Sequence, residues 1–275
     1  MTFQKNIIAI YQEKGKAWLA ELPKKVRYYE DLWKLSSLKP FDCLSYNYVL
    51  SGYQGKRPIV LKFSLDSASL TKEIKALKAF QGHGAVSVLD DQEGVVLLER
   101  AVPGKSLKEQ FGNSQRGLEI ACEVIQKMHK APMPREEDFP RIEEWMAVLD
   151  REWNLPKTLL QTARTFKDKL LQSTAPRVLL HGDLHRDNIL SHGQGWAVID
   201  PKGVIGWPIN EIWACVENPS DLRYIGEFFH FSFDTVVRWY YVHLILAACW
   251  QVEDHLSPKT FLDLAMSVLP IDLSK

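Results

Sequence analysis

The sequence predicts an α+β fold of two lobes, a small antiparallel-sheet N-lobe followed by a mostly helical C-lobe. Short apolar runs of strand length, separated by turn residues, are concentrated before residue 100, whereas residues 106–173 have helical periodicity. The "VPG" at 102–104 breaks the chain where the two textures meet. We therefore expect an N-terminal lobe with a leading helix over residues 1–100 and a C-terminal lobe over 101–275.

The elements of the N-terminal lobe follow from the spacing of apolar residues and from turn signals. An amphipathic helix is predicted over residues 3–22, and Pro23 is expected to end it. "YNYVLSGY", the turn "QGKRP" and "IVLKFSL" predict a β-hairpin over 46–65. A helix over 70–80 is expected to stop at "GHG", and the runs "AVSVLD" and "GVVLLER" predict the last strands of the sheet.

Composition excludes several classes of partner. Lys plus Arg equals Asp plus Glu at 34 residues each, so no net charge attracts nucleic acid or an anionic membrane. The apolar segment 236–252 contains Arg238 and His243 and is too short for a membrane span, which favours a core helix. The N-terminus lacks signal-peptide features, and the four cysteines form no CxxC pair. We expect a cytoplasmic monomer or weak homodimer that binds neither nucleic acid nor membrane.

A cluster of polar residues stands late in the chain, in "HGDLHRDNIL" (181–190) and in the following strand "WAVID", which ends on Asp200. A hairpin of the two strands would bring Asn188 and Asp200 to neighbouring strand ends. An amide oxygen and a carboxylate are hard ligands suited to Mg²⁺. Asp183, five residues before Asn188, could orient and deprotonate a hydroxyl group. These are the parts that phosphoryl transfer requires.

Phosphoryl transfer also needs a cation for the ATP phosphates and a group that holds this cation. Lys62 is a charged residue inside the apolar strand "IVLKF", and Glu73 lies eleven residues further on in the next predicted helix. A strand lysine paired with a helix glutamate is the arrangement that this scheme uses.

Together these motifs resemble the aminoglycoside phosphotransferase superfamily of the protein-kinase-like fold, in particular the aminoglycoside/hydroxyurea antibiotic resistance kinases of the streptomycin 6-phosphotransferase type. The resemblance is carried by "SYNYVL" (45–50), "VLKF" (60–63), "LLERAVPGKSL" (97–107), "VLLHGDLHRDNIL" (178–190) and "AVIDPKGVIGWP" (197–208). It implies a phosphotransferase that uses ATP and Mg²⁺ to phosphorylate a hydroxyl of a small polar molecule. A streptomycin-type aminoglycoside is the leading acceptor.

For the catalytic centre, the resemblance implies that Asp183 is the catalytic aspartate and that His181 braces its loop. It also implies that Asn188 and Asp200 bind the metal. The N-terminal lobe then becomes the nucleotide-binding lobe, in which Lys62 would contact the α- and β-phosphates.

For nucleotide and acceptor, the resemblance implies several further contacts. Glu73 would support Lys62, the backbone of Glu99–Ala101 would meet adenine, and polar groups around Asn47 would cover the phosphates. The residues expected on the acceptor side of the site are Glu211, Trp207, His185 and Lys202.

Two departures from the family pattern and three alternatives accompany this interpretation. No GxGxxG is present, and Trp207 stands where the family usually has an aspartate. The missing carboxylate argues against a polycationic acceptor and leaves catalysis untouched.

An HxDxH pattern, formed by His181, Asp183 and His185, could instead bind a transition metal in a hydrolase. A small-metabolite alcohol kinase would use the same catalytic residues, and a nucleotide-binding pseudoenzyme would retain them without turnover.

Overall fold

The computed structural model describes residues 3–42 and 44–268. It divides into two compact units. The N-terminal unit comprises Met1–Lys105 and Leu190–Lys202, and the C-terminal unit comprises Ser106–Ile189 and Gly203–Lys275. The hairpin segment that ends on Asp200 is therefore part of the N-terminal unit, although the chain reaches it only after residue 189.

The N-terminal unit is built on a five-stranded antiparallel sheet of order β1-β2-β3-β5-β4. Its strands are β1 (Leu35–Pro40), β2 (Tyr48–Gln54), β3 (Arg57–Phe63), β4 (Val88–Gln92) and β5 (Val95–Glu99). The helices of this unit are α1 (Phe3–Leu32) and α2 (Ser67–Ala79). A second sheet of order β6-β8-β9 contains β6 (Pro103–Ser106), β8 (Ile189–His192) and β9 (Gly195–Val198). The predicted hairpin, helix and final strands of the N-lobe are all present.

The first helix is longer than predicted, and the expectation that Pro23 ends it is wrong. α1 continues through Pro23 to residue 32 and is kinked instead at Gln12, where φ is +49°. An internal proline costs a helix about 3 kcal/mol because it removes one hydrogen bond and crowds the preceding turn. Packing offsets this cost, since Leu22, Val26 and Tyr29 on both sides of the proline lie against one core cluster of the sheet.

The C-terminal unit is mostly helical, as predicted. Its helices are α3 (Leu107–Phe111), α4 (Gln115–Met128), α5 (Ile142–Met146), α6 (Lys157–Leu170), α7 (Asp221–Phe229), α8 (Phe233–Glu253) and α9 (Lys259–Val268). A two-stranded sheet of β7 (Val178–Leu180) and β10 (Val204–Gly206) pairs the two segments that flank the stretch with the predicted catalytic residues.

The predicted core helix is α8, in which thirteen residues are buried. Its neighbours α6, α7 and α9 pack against it. Across residues 3–42 and 44–268, no helix combines the length and the apolar character that a membrane span requires. Cys122, Cys215 and Cys249 are buried free thiols, and Cys43 lies outside the described residues.

Candidate active site

Lys62 is the centre of a charge cluster in the N-terminal unit. It lies on the central strand β3, between Val49 of β2 and Val96 of β5, and only 4% of its side chain is exposed. Its Nζ donates to both carboxylate oxygens of Glu73 at 2.8 Å and to Oδ1 of Asp200 at 2.9 Å. The predicted pairing of Lys62 with Glu73 is thus observed, and Asp200 shares the same ammonium group.

The charges of this cluster depend on one another. Burial opposes the ammonium of Lys62, but Asp200 and Glu73 outweigh this effect and raise the Lys62 pKa above its ordinary value. Burial raises the pKa of Glu73, while the charge of Lys62 opposes that change. Lys62 therefore remains a cation although it is almost completely withdrawn from water. It is available as a fixed positive charge for an anionic ligand.

Asp200 has an unusual backbone conformation. Its φ is +58°, in the left-handed region that residues other than glycine rarely adopt, although aspartate tolerates it better than most. β9 ends at Val198, so the chain turns immediately after the strand. The turn leaves 49% of the Asp200 side chain exposed while its Oδ1 contacts Lys62. Such strain is often concentrated at functional sites.

A cavity of about 670 Å³ in the N-terminal unit adjoins this cluster. That volume is within the range of small-molecule and cofactor sites. Six of the predicted site residues line it: Asn47, Lys62, Glu99, Ala101, Asp200 and Lys202. Apolar side chains from β2, β3 and β5, including Val49, Val60 and Leu98, form much of the remaining wall. The cavity thus has an apolar part for a flat ring and a charged end at Lys62.

Sequence reasoning missed several residues of this cavity. Phe41 and Tyr46 line it, and both are exposed aromatic residues. The carboxylate of Glu99 accepts a hydrogen bond from Ser87 Oγ at 2.8 Å, and its Oε1 lies 3.7 Å from His192 Nε2. Phe41, Ser87 and His192 belong to no quoted motif, whereas Tyr46 lies in "SYNYVL" and Glu99 in "LLERAVPGKSL".

In the C-terminal unit, the loop after β7 contains the predicted catalytic residues. His181 is fully buried, and its Nδ1 accepts a hydrogen bond from the Asp183 N–H at 3.3 Å. Asn188 donates through Nδ2 to the Asp183 carbonyl at 2.9 Å. These two bonds fix the loop around Asp183 from both sides. Arg186, also fully buried, ties the same loop to the Gly112 carbonyl with a 2.8 Å bond from Nη1.

The side chains of Asn188 and Asp200, each taken by itself, offer oxygen atoms that suit a magnesium ion better than a transition metal. Because the Asn188 amide nitrogen already donates to Asp183, the Asn188 amide oxygen is the atom suited to a cation. Amide and carboxylate oxygens are the hard ligands that Mg²⁺ prefers. The alternative HxDxH site lacks support, because no cluster of three His, Cys, Asp or Glu residues within the described ranges has the geometry of a metal site.

Glu211 was predicted on the acceptor side, and the structure places its side chain away from solvent, with 1% of the residue exposed. Its Oε2 accepts the His181 N–H at 2.5 Å, and its Oε1 accepts the Gly182 N–H at 3.0 Å. Burial raises its pKa to about 7, although the two loop N–H groups oppose this change. Glu211 holds the backbone that leads into Asp183.

Trp207, also predicted on the acceptor side, is 3% exposed. Its indole ring packs against Trp239 and lies under the guanidinium of Arg177, whose central carbon is 4.6 Å from the ring centroid. Trp207 is therefore part of the core. His185, which was also predicted to contact the acceptor, lies in the C-terminal unit and is accessible, with 45% of its side chain exposed.

Comparison with known proteins gives a consistent result. The model of the aminoglycoside/hydroxyurea antibiotic resistance kinase family matches residues 36–222. Streptomycin 6-kinase of Streptomyces glaucescens is 24% identical over 274 residues, which cover 89% of this chain and 87% of that protein. Streptomycin 3''-kinase of Klebsiella pneumoniae is 30% identical over 168 residues, which cover 58% of this chain and 60% of that protein.

Solved structures share the fold. A ternary complex of a thermostable mutant of aminoglycoside phosphotransferase APH(4)-Ia with ADP and hygromycin B gives a TM-score of 0.68 at 14% identity, covering 90% of this chain and 99% of that chain. Choline kinase LicA from Streptococcus pneumoniae gives 0.66 at 13% identity, with coverages of 90% and 99%. The predicted protein-kinase-like fold is therefore confirmed. Because enzymes for unlike acceptors share it, the fold leaves the acceptor undetermined.

Proposed function

Because the chain belongs to the aminoglycoside/hydroxyurea antibiotic resistance kinase family and is therefore a kinase of small-molecule hydroxyl groups, we propose that its donor is ATP with Mg²⁺. We propose a streptomycin-type aminoglycoside as the acceptor. The observation that carries the donor assignment is the buried Lys62, held by Glu73 and Asp200 at the charged end of a cavity of about 670 Å³. The acceptor assignment draws its support from the streptomycin kinases among the relatives.

In the proposed donor site, the nucleotide occupies the cavity of the N-terminal unit. Adenine would enter the apolar part and hydrogen-bond with the backbone of Glu99–Ala101. The ammonium of Lys62 would bind the α- and β-phosphates, and Glu73 would keep that ammonium in place. In the absence of a glycine-rich loop, Asn47 and its neighbours would cover the phosphates with polar side chains and backbone N–H groups.

In the proposed reaction, Asp183 orients the acceptor hydroxyl and takes its proton. His181 and Asn188 keep the Asp183 loop in one conformation, as their hydrogen bonds indicate. Asn188 and Asp200 would hold the magnesium ion, which neutralises charge on the transferred phosphoryl group when it is bound. His185 and Lys202 are the accessible candidates for contact with the acceptor or its phosphate.

A transfer assay tests both parts of the proposal. Purified protein is incubated with γ-labelled ATP, Mg²⁺ and streptomycin, and the labelled product is separated and analysed by NMR to find the phosphorylated hydroxyl. We expect transfer to streptomycin, and expression of the protein should raise the inhibitory concentration of streptomycin for a sensitive host. Asp183→Asn is the matched control, which should lose several orders of magnitude in rate while ATP affinity is retained.

A second acceptor class, small-metabolite alcohols, is favoured by one observation. Glu211 was the acidic residue expected to bind an amine-rich acceptor, and its side chain is almost fully buried. The same labelled assay therefore includes amino alcohols, sugar amines and hydroxyurea. Transfer to one of these without transfer to streptomycin would refute the aminoglycoside proposal and leave the donor site intact. Nucleotide binding without transfer to any acceptor would indicate a pseudoenzyme.

A further inference from the structure

A buried histidine that belongs to no recognised motif lies beside Glu211. His129 follows α4 directly and caps it, and its side chain is only 10% exposed. Its Nε2 is shielded from solvent and has no hydrogen-bond partner in the part of the chain that the structure describes. Glu211 Oε2 lies 3.9 Å from this nitrogen, slightly beyond hydrogen-bond distance. A small side-chain rotation would pair the two atoms, and an unpaired buried nitrogen is costly.

Glu211 connects this histidine to the catalytic loop. Its two oxygens accept the N–H groups of His181 and Gly182, the two residues before Asp183. The Asp183 N–H in turn donates to His181 Nδ1. A change at the Glu211 carboxyl group therefore reaches the Asp183 backbone through two hydrogen bonds.

We propose that His129 is a positioning residue for phosphoryl transfer that acts through Glu211. His129 accepts a hydrogen bond from the protonated carboxyl group of Glu211 and donates one to the carboxylate, as the pair gains or loses one proton. When the carboxyl group is protonated, its O–H donates to the bare Nε2 of neutral His129. When that proton has left to solvent, His129 takes the tautomer with hydrogen on Nε2 and donates to the carboxylate. The proposal rests on the proposed role of Asp183 as the catalytic aspartate.

Only the charged form of Glu211 offers two full acceptors to the loop. A carboxylate accepts both N–H groups, whereas the hydroxyl oxygen of a protonated carboxyl group is a poor acceptor for the His181 N–H. The loop around Asp183 is therefore held more firmly when the pair has lost its proton. His129 pairs with Glu211 in both states, but its hydrogen bond to the charged carboxylate is the stronger of the two, so His129 favours the state that has lost the proton.

The electrostatic surroundings put this change near neutral pH. Burial raises the pKa of Glu211 to about 7, with a smaller contribution from Asp183. Burial also lowers the pKa of His129 to about 4, so that its imidazole is neutral in this range. The titratable groups around Glu211 are His129 beyond α4, His181 and Asp183 in the catalytic loop, and the thiol of Cys215 in the following turn.

The kinetic test uses His129→Leu, with His129→Gln as the conservative variant. For His129→Leu we expect kcat at neutral pH to fall roughly tenfold to a hundredfold with little change in the KM for ATP. The acidic limb of its kcat profile should move up by about one pH unit, because Glu211 has lost its donor. His129→Gln keeps an N–H donor and should recover most of the rate. His243→Leu, at another buried histidine, should lower stability without moving the limb.

A lower rate with an unmoved acidic limb would overturn the proposal, since it would mean that His129 is only structural. A second test does not depend on phosphoryl transfer or on the folding of the His129 variants. In the ¹⁵N NMR spectrum of the wild-type protein, His129 Nε2 should change from unprotonated to protonated as the pH rises through the Glu211 transition. Glu211→Gln should abolish this change.

If His129 keeps one tautomer between about pH 5.5 and about pH 8.5, the proposal is wrong. The two proposals can therefore fail separately. A tautomer change in a protein that phosphorylates no acceptor would contradict the proposed function and leave the His129–Glu211 pair standing.

Discussion

Replacing Glu211 by glutamine should make the protein relatively more stable as the pH rises. The pKa of Glu211 is raised by burial from its ordinary value of 4.5 to about 7. Between these values the folded protein retains a proton that the unfolded chain has released, so wild-type stability falls as the pH increases through this window. The loss of stability is complete above the pKa that Glu211 has in the folded protein. The difference between its folded and ordinary pKa values corresponds to about 3 kcal/mol of unfolding free energy.

The glutamine of the Glu211→Gln variant does not titrate, so the stability of the variant does not fall with pH for this reason. The difference in unfolding free energy between Glu211→Gln and wild type should therefore change by about 3 kcal/mol between about pH 4.5 and about pH 8, in favour of the variant at high pH. Urea denaturation followed by circular dichroism at a series of pH values measures it. The histidines contribute to both proteins and largely cancel in the difference. Glu152→Gln, at an exposed position, controls for the lost charge. A difference that is constant with pH would refute the reasoning.

Three further predictions concern the other buried groups. Lys62→Met should raise the KM for ATP at least about tenfold, because it leaves Glu73 and Asp200 without their shared cation; an unchanged KM in steady-state kinetics would contradict the donor site. Asn188→Ala should raise the Mg²⁺ concentration for half-maximal activity about tenfold, measured by magnesium titration at saturating ATP; the wild-type requirement in the variant would exclude Asn188 as a ligand. Arg186→Met should cost about 3 kcal/mol in urea unfolding, because the fully buried guanidinium holds the Gly112 carbonyl; a loss below about 1 kcal/mol would show that the bond contributes little.

The parts of the fold that sequence reasoning predicted are those with a local cause. The β2–β3 hairpin has its turn at Gly55, where φ is +61°, and α8 carries a long, mostly apolar run in which thirteen residues are buried. What it missed depends on contacts between distant segments. β1 has the unpromising sequence "LSSLKP" and becomes a strand because β2 supplies its hydrogen bonds. α1 passes Pro23 because the sheet provides an apolar surface on both sides of it.

The residues of the candidate site also fall into those that could be predicted from local sequence and those that could not. Lys62 and Glu73 could be paired from spacing, because a strand and the next helix bring them together whatever the rest of the chain does. The exposure of a side chain cannot be predicted from spacing in this way, since it depends on how whole helices pack. Glu211 and Trp207 are polar or amphipathic residues next to a motif, which suggested an acceptor pocket, yet both are buried. His129 lies in "KMHKAP", where no pattern distinguishes it from a surface residue.

The two carboxylates around Lys62 are not equivalent, and this difference suits the proposed binding of MgATP. A nucleotide phosphate that approaches Lys62 competes with Asp200 and Glu73 for one ammonium group. Glu73 is 12% exposed and has little access to solvent, so it is the partner that stays. Asp200 is 49% exposed, and a carboxylate with that access can give up an ammonium for a metal ion. One carboxylate would thus keep the lysine charged and in place, while the other would be exchanged for phosphate. A cluster with a single carboxylate could not do both, because losing it would leave a buried cation without support before the phosphate arrived.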